Sequence, residues 1–128
     1  MSDLKKRIKA VDDIQKEVVH VDEWDVDIEV RGMDGEARAE YFELSYDKDG
    51  KPVHGVVTIN AIIATCYDVE SGEKLFDAGD AEWLRKKCGA ALGQLYLVAF
   101  DLSGLAKDEM DKIKNALGVE ESDGSTSP

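Results

Sequence analysis

The sequence predicts an α+β fold: one mostly helical domain with a single β-hairpin, about residues 18–31, packed against four to five helices, the longest over about 79–102. Three observations predict it. Apolar residues recur at helical spacing over most of the chain. That spacing gives way to strict alternation only between Val19 and Val30. The chain of 128 residues is 43% hydrophobic and 34% charged, the size and composition of one ordinary globular domain. At this length folding buries roughly two-thirds of the surface that the unfolded chain exposes, enough for one core.

Ser2 or Asp3 can cap a first helix over roughly 3–16, with Leu4, Ile8 and Val11 as a narrow apolar stripe. Val19 and Val21, then Val26, Ile28 and Val30, alternate with His20, Asp22, Asp27, Glu29 and Arg31. Period two predicts two half-buried strands joined by Asp22-Glu23-Trp24-Asp25, apolar on one face and mostly acidic on the other. Two strands alone are marginal, so helices must cover the apolar face. Asp34 fits as N-cap of a helix over about 35–46, where Ala37, Tyr41 and Leu44 share a face. The turn residues Asp47 to Pro52 end it. Val56, Ile59, Ile62, Ile63 and Cys66 predict a buried helix, with a strand as the alternative because the run is β-branched. Tyr67 to Phe76 reads as a tight connection through Ser71-Gly72.

The longest helix carries Leu84, Cys88, Leu92, Leu95, Ala99 and Leu102 as one stripe, and Leu97, Val98 and Phe100 make its second half apolar all round. Such a helix belongs in the centre of a domain. Gly89 and Gly93 lie four apart on it, where another backbone can approach closely. A last helix, with Ala106, Met110, Ile113 and Leu117 on one face, ends at Gly118. Residues 1–118 form the expected domain, and 119–128 a flexible polar tail.

Acidic residues outnumber basic ones 28 to 16, for a net charge of −12. A field of that sign repels nucleic acid and anionic membranes, so neither is an expected partner. The excess is concentrated: residues 17–54 hold twelve acidic and four basic side chains, while 1–16 hold three and five. An acidic segment thus sits beside a mildly basic first helix. The complementarity can be internal, or the acidic surface can face a partner. No run of 18 apolar residues and no basic-then-apolar leader is present, and two cysteines are too few for a disulfide scaffold. A cytosolic protein is the expectation.

Catalytic chemistry is not expected. His20 and His54 are the only histidines, and both read as solvated bystanders. Cys66 and Cys88 fall on apolar stripes and read as buried, inert thiols. Asp47-Lys48-Asp49-Gly50 resembles the start of a calcium loop, but Thr58 stands where the closing Glu is needed. The glycines form no phosphate-binding pattern. No cofactor and no metal is therefore expected. Trp24 at the hairpin tip is either a binding anchor in an acidic loop or a ring folded back over the hairpin core. Trp83 reads as core or as a lid on it.

The order of these pieces resembles a known family. SDLKKRI leads into VDEWDVDIEVRGM, then DGEARAEYFEL, INAIIATCYDVESGEKLF and DAEWLRKKCGAAL, ending in LSGL. The telling phrases are Glu23–Arg38, Tyr67–Phe76 and Leu102-Ser103-Gly104-Leu105. Together they are similar to the tail assembly chaperones of long-tailed, siphovirus-type bacteriophages, over roughly residues 2–117. The resemblance implies a small α+β, non-enzymatic protein of the infected bacterium's cytoplasm, absent from the mature virion. It implies binding to the phage tape-measure protein, which is kept soluble until tail-tube subunits polymerise around it. It also implies a longer product, made by ribosomal frameshifting, that recruits the tail-tube protein. A homo-oligomer stays open. The acidic hairpin marks Trp24, Asp25, Asp27 and Glu29 as the candidate tape-measure surface, on charge concentration. Two alternatives remain from the residues alone: a structural head–tail connector or tail-completion protein, and an acidic DNA-mimic inhibitor, for which the basic first helix is a poor feature.

Overall fold

A computed structural model describes residues 2–53 and 55–105, so His54, the predicted last helix and the tail lie outside the described residues. The first helix, α1, spans Asp3–Ala10, with the Ser2 hydroxyl accepting from the Lys5 amide at 3.1 Å. It stops well short of residue 16. Val11 is already extended, and Gln15 is drawn alongside the sheet, its carbonyl accepting from the Gly32 amide at 2.9 Å. Asp12 and Asp13 favour this break, because their short polar side chains compete for the backbone.

The hairpin forms as expected, from β1 (Lys16–Val21) and β2 (Val26–Arg31), with Val19 opposite Ile28 and His20 opposite Asp27. Val19, Val21, Ile28 and Val30 are buried. Val26, at the end of the same apolar set, stays exposed. Helix α2 (Gly35–Ser45) is capped by Asp34, whose carboxylate accepts from the Ala37 amide at 2.8 Å. Its inner face runs through Ala37, Tyr41 and Ser45 rather than to Leu44, which is exposed. The i, i+4 line wins because the Asn60 amide of the next helix donates to the Ser45 hydroxyl at 3.1 Å.

That next helix, α3 (Val57–Thr65), buries Ile59, Ala61 and Ile62, and ends one residue before the predicted stripe does. Cys66 instead opens a third strand, β3 (Cys66–Asp68), antiparallel to β2, giving the sheet order β1-β2-β3. The strand is only three residues long, too short for alternation to announce it. Cys66 faces the core, and burial pushes its thiol up to about 12.

The predicted 79–102 helix is interrupted. A 3₁₀ turn (Ala78–Asp80) runs into α4 (Ala81–Leu84), the chain unwinds over 85–88, and α5 spans Gly89–Leu102. The amides of Lys86 and Lys87 reach back only to the carbonyls of Trp83 and Leu84, a tightening that ends α4. Cys88 leaves the helical region at φ −56° and ψ 127°, Cys88 and Gly89 are weak helix formers, and the three consecutive cations before them repel one another. The interruption lets Leu84 and Leu92 both enter the core while Cys88, between them on the expected stripe, is exposed. Leu97 is exposed as well, so α5 is not buried all round.

The core has two parts. One lies between the sheet and α3, α4 and α5; the other joins Met33, Tyr41, Ala61, Phe100 and Leu105. They are tied where β2 meets the end of α5. A Cβ on Gly32 would stand 2.4 Å from the Leu102 carbonyl oxygen, so the chain passes there only as glycine. The next amide, Met33, donates to the buried Ser103 hydroxyl at 2.9 Å. The close approach expected at Gly89 and Gly93 is absent, since a Cβ at either would meet nothing within 4 Å. Arg31 completes the junction: its guanidinium donates to Glu29 at 2.8 Å and to the Gly72 carbonyl at 3.2 Å, and lies 3.9 Å from the Tyr67 ring centroid. The three phrases that carry the family resemblance therefore meet in space.

Gly32→Ala must push two backbones apart and is expected to cost about 1–3 kcal/mol. Ser103→Ala strands a buried amide and should also cost about 1–3 kcal/mol. Urea unfolding of both variants measures this; wild-type midpoints would show that the junction can open without penalty.

Candidate functional site

The hairpin tip is built by its own backbone. The Val21 carbonyl accepts from the amides of Trp24 (3.1 Å) and Asp25 (2.8 Å), and Asp25 takes a positive φ of 53°. Asp tolerates that left-handed conformation better than most residues. The turn swings Trp24 inward, so its ring packs partly buried against the first core cluster. Beside it opens a groove of about 890 Å³, between the start of β2, the turn after β3, and α4. Val26, Val69, Leu75 and Trp83 line it while exposed, and Ile28, Phe76 and Leu84 form deeper wall. Phe76 and Trp83 meet edge to face with centroids 5.9 Å apart. Both tryptophans of the chain are thus in one groove.

The rim is acidic. Asp27, Asp68, Glu70 and Asp80 line the groove with a single cation, Lys87. Asp68 is held by the turn it makes, accepting from the amides of Glu70 at 2.8 Å and Ser71 at 3.2 Å. The Asp77 amide and the Trp83 indole N–H both donate to the Asp80 carboxylate at 2.9 Å, holding its pKa below the usual carboxylate value. An open apolar surface inside a ring of carboxylates suits a partner with an apolar stripe and basic flanks.

Of the four residues singled out from the sequence, Trp24 and Asp27 line this groove. Asp25 sits at the tip, almost fully exposed, with its carboxylate 3.7 Å from the His20 ring. Glu29 is spent internally: it is half-buried and bound to Arg31 at 2.8 Å. The β3 turn and α4, which supply the other wall, were missed. Phe76, Trp83 and the carboxylates around them were visible as residues, but only the fold places them against the hairpin tip.

His20 is exposed, as expected, but not idle. Its Nδ1 lies 2.7 Å from Asp27, and its Nε2 3.5 Å from Asp22 and 3.7 Å from Asp25. The hydrogen bond to Asp27, helped by the charges of all three carboxylates, raises its pKa above 6.5. Among the described residues, no group of three or more His, Cys, Asp or Glu side chains is arranged to hold a metal ion. Likewise no described helix is long and apolar enough to cross a membrane.

Comparison with known proteins gives a likeness of fold. No protein-family model matches the sequence, and no curated protein does. Among solved structures, the chain is similar to the bacteriophage HK97 tail assembly chaperone, with a TM-score of 0.56 and 23% sequence identity, covering 80% of this chain and 95% of that one. At that identity the likeness is one of fold. The chain has the fold of that tail assembly chaperone, as its sequence phrases implied.

A raised folded pKa means that protonated His20 favours the native state. Its contribution is full below about pH 6.5, the unfolded value, and is lost as pH rises through the folded one. An NMR titration should place His20 above 6.5 in the native chain and lower in Asp27→Asn. An unchanged value in that variant would remove Asp27 as the cause.

Proposed function

We propose that this protein is a bacteriophage tail assembly chaperone, which binds the tape-measure protein and keeps it soluble while tail-tube subunits polymerise around it. The fold likeness to the HK97 tail assembly chaperone, over most of both chains, carries the reading. The groove supports it. A long helical client presents amphipathic segments, and an apolar groove takes such a helix by its i, i+3, i+4 and i+7 residues. A net charge of −12 keeps the loaded complex dispersed. Trp24 and Asp27, inside the groove, and Asp25 beside it are the client contacts; Glu29 acts through the Arg31 junction that holds β2. In this reading the protein works in the host bacterial cytoplasm and leaves before the virion matures. A longer frameshifted product recruits the tail-tube protein.

Co-expression with the tape-measure gene tests the client assignment. Trp24→Ser combined with Asp25→Asn and Asp27→Asn should reduce recovered soluble tape measure at least about tenfold, the loss expected of an aromatic anchor with its charged neighbours. A matched circular dichroism melt confirms that the variant folds. Undiminished recovery would exclude these residues. Expression from the gene with its native downstream DNA, followed by intact-mass spectrometry, should reveal a minor longer species with the same N-terminus, and mass spectrometry of purified virions should find neither form. A virion-resident protein would instead be a connector or tail-completion subunit.

A further inference from the structure

The groove has a main-chain side that a helical client leaves unused. Strand β2 has six residues, but β3 pairs only with Ile28, Glu29 and Val30. The chain then turns away after Asp68, whose carbonyl accepts from the Gly72 amide at 2.8 Å. The ladder to β1 decides which groups of β2 this leaves open. The Gly32 amide donates to the Gln15 carbonyl at 2.9 Å, one step beyond the pairing of Lys16 with Arg31. Directly hydrogen-bonded pairs recur at every second position of an antiparallel ladder, so Val30, Ile28 and Val26 turn their backbone groups toward β1. Asp27 and Glu29 turn theirs the other way. Those of Glu29 meet Tyr67 of β3. Those of Asp27 point to where β3 would have continued, and among the described residues no backbone partner reaches them.

We propose that this edge is a strand-addition site for an extended partner segment that reads apolar, basic, apolar. Asp27 lines the groove, yet its carboxylate lies on the outer face of the sheet, 2.7 Å from the His20 ring. What it offers the groove is an N–H and a C=O that project sideways, between β2 and the turn at Val69. A partner residue opposite Asp27 exchanges two hydrogen bonds with it, the pairing that strand addition uses. The same pairing fixes the side chains. The residue opposite Asp27 projects beside the Asp27 carboxylate, and Asp22 and Asp25 stand 3.5 and 3.7 Å from the same His20 ring. A cation at that position meets all three carboxylates. Its two neighbours project to the other face, where Val26, Ile28, Trp83 and Leu84 line the groove. A helix cannot make this contact, because its own turns consume its amides. A helical client thus engages the walls and an extended segment the edge, which goes beyond the client reading, and the two exclude each other.

The probe is a synthetic peptide, acetyl-Gly-Val-Lys-Val-Gly-amide, titrated into the isotope-labelled full chain at low ionic strength and followed by NMR. Every change is made in the peptide, so folding of the protein is not in question. In the free chain the Asp27 amide should exchange with solvent faster than those of Ile28 and Val30, which are paired with β1. The peptide should move the Asp27 amide signal downfield and slow its exchange. N-methylation of the peptide lysine removes the donor to the Asp27 carbonyl and should weaken binding about tenfold. N-methylation of the valine after it, whose amide points away from β2, should change affinity little. Glu in place of the peptide lysine should abolish binding, because it faces three carboxylates. Three results overturn the proposal: an Asp27 amide as slow as that of Ile28 in the free chain, no Asp27 shift at millimolar peptide, or equal losses from the two N-methyl peptides. No tape measure enters the experiment, so recovery of soluble client stands or falls separately.

Discussion

The architecture depends on one close approach. Where β2 leaves the sheet, Gly32 passes against the Leu102 carbonyl at a distance that admits no side chain, and the following amide is satisfied by Ser103. This contact joins residues 70 positions apart and ties the end of the central strand to the end of the longest described helix. Both core clusters are anchored by it, because β2 and α5 contribute to the first and Met33 and Phe100 to the second. Glycine is required here by contact rather than by an unusual backbone angle.

Arg31 extends the same junction sideways. Its guanidinium is a planar, five-donor group, able to bind a carboxylate, a carbonyl and an aromatic face together. Here it takes Glu29, the Gly72 carbonyl and the Tyr67 ring, and so holds the turn after β3 beside β2. That turn carries Val69 and Glu70, one wall of the groove. The groove is thus a consequence of how the sheet is closed: a three-residue β3, too short to cover the tip of the hairpin, leaves Trp24, Val26 and Trp83 facing one another across open space.

An exposed apolar surface on a small domain invites non-specific association. The acidic rim counters this by repelling like-charged surfaces, and it favours any partner that brings cations with its apolar stripe. The same charge pattern explains why His20 is held by three carboxylates at the tip. Electrostatic selection and apolar affinity are provided by different residues on shared backbone, which lets one surface be both soluble and adhesive.

The sequence by itself determined the fold class, the hairpin and its inward face, the cap and extent of α2, and the presence of a helix at α3, though not where it ends. Each follows from local chemistry: alternation for β1 and β2, Asp34 at a helix start, an apolar run from Val56 to Cys66. The order of its phrases also pointed to the fold shared with the HK97 tail assembly chaperone. Only the tertiary structure decided the rest. Strand β3 exists because β2 offers an unpaired edge, which three residues cannot signal alone. The break at 85–88 arises because Leu84 and Leu92 both gain burial when the helix is interrupted, a term absent from helical periodicity. Trp24, Asp27 and Glu29 share one segment, and Asp27 and Glu29 share one face of β2, yet Asp27 lies at the tip beside His20 and the groove while Glu29, two residues on, is consumed by Arg31. Periodicity reports which residues want to be buried. It does not report which surfaces will be available to bury them.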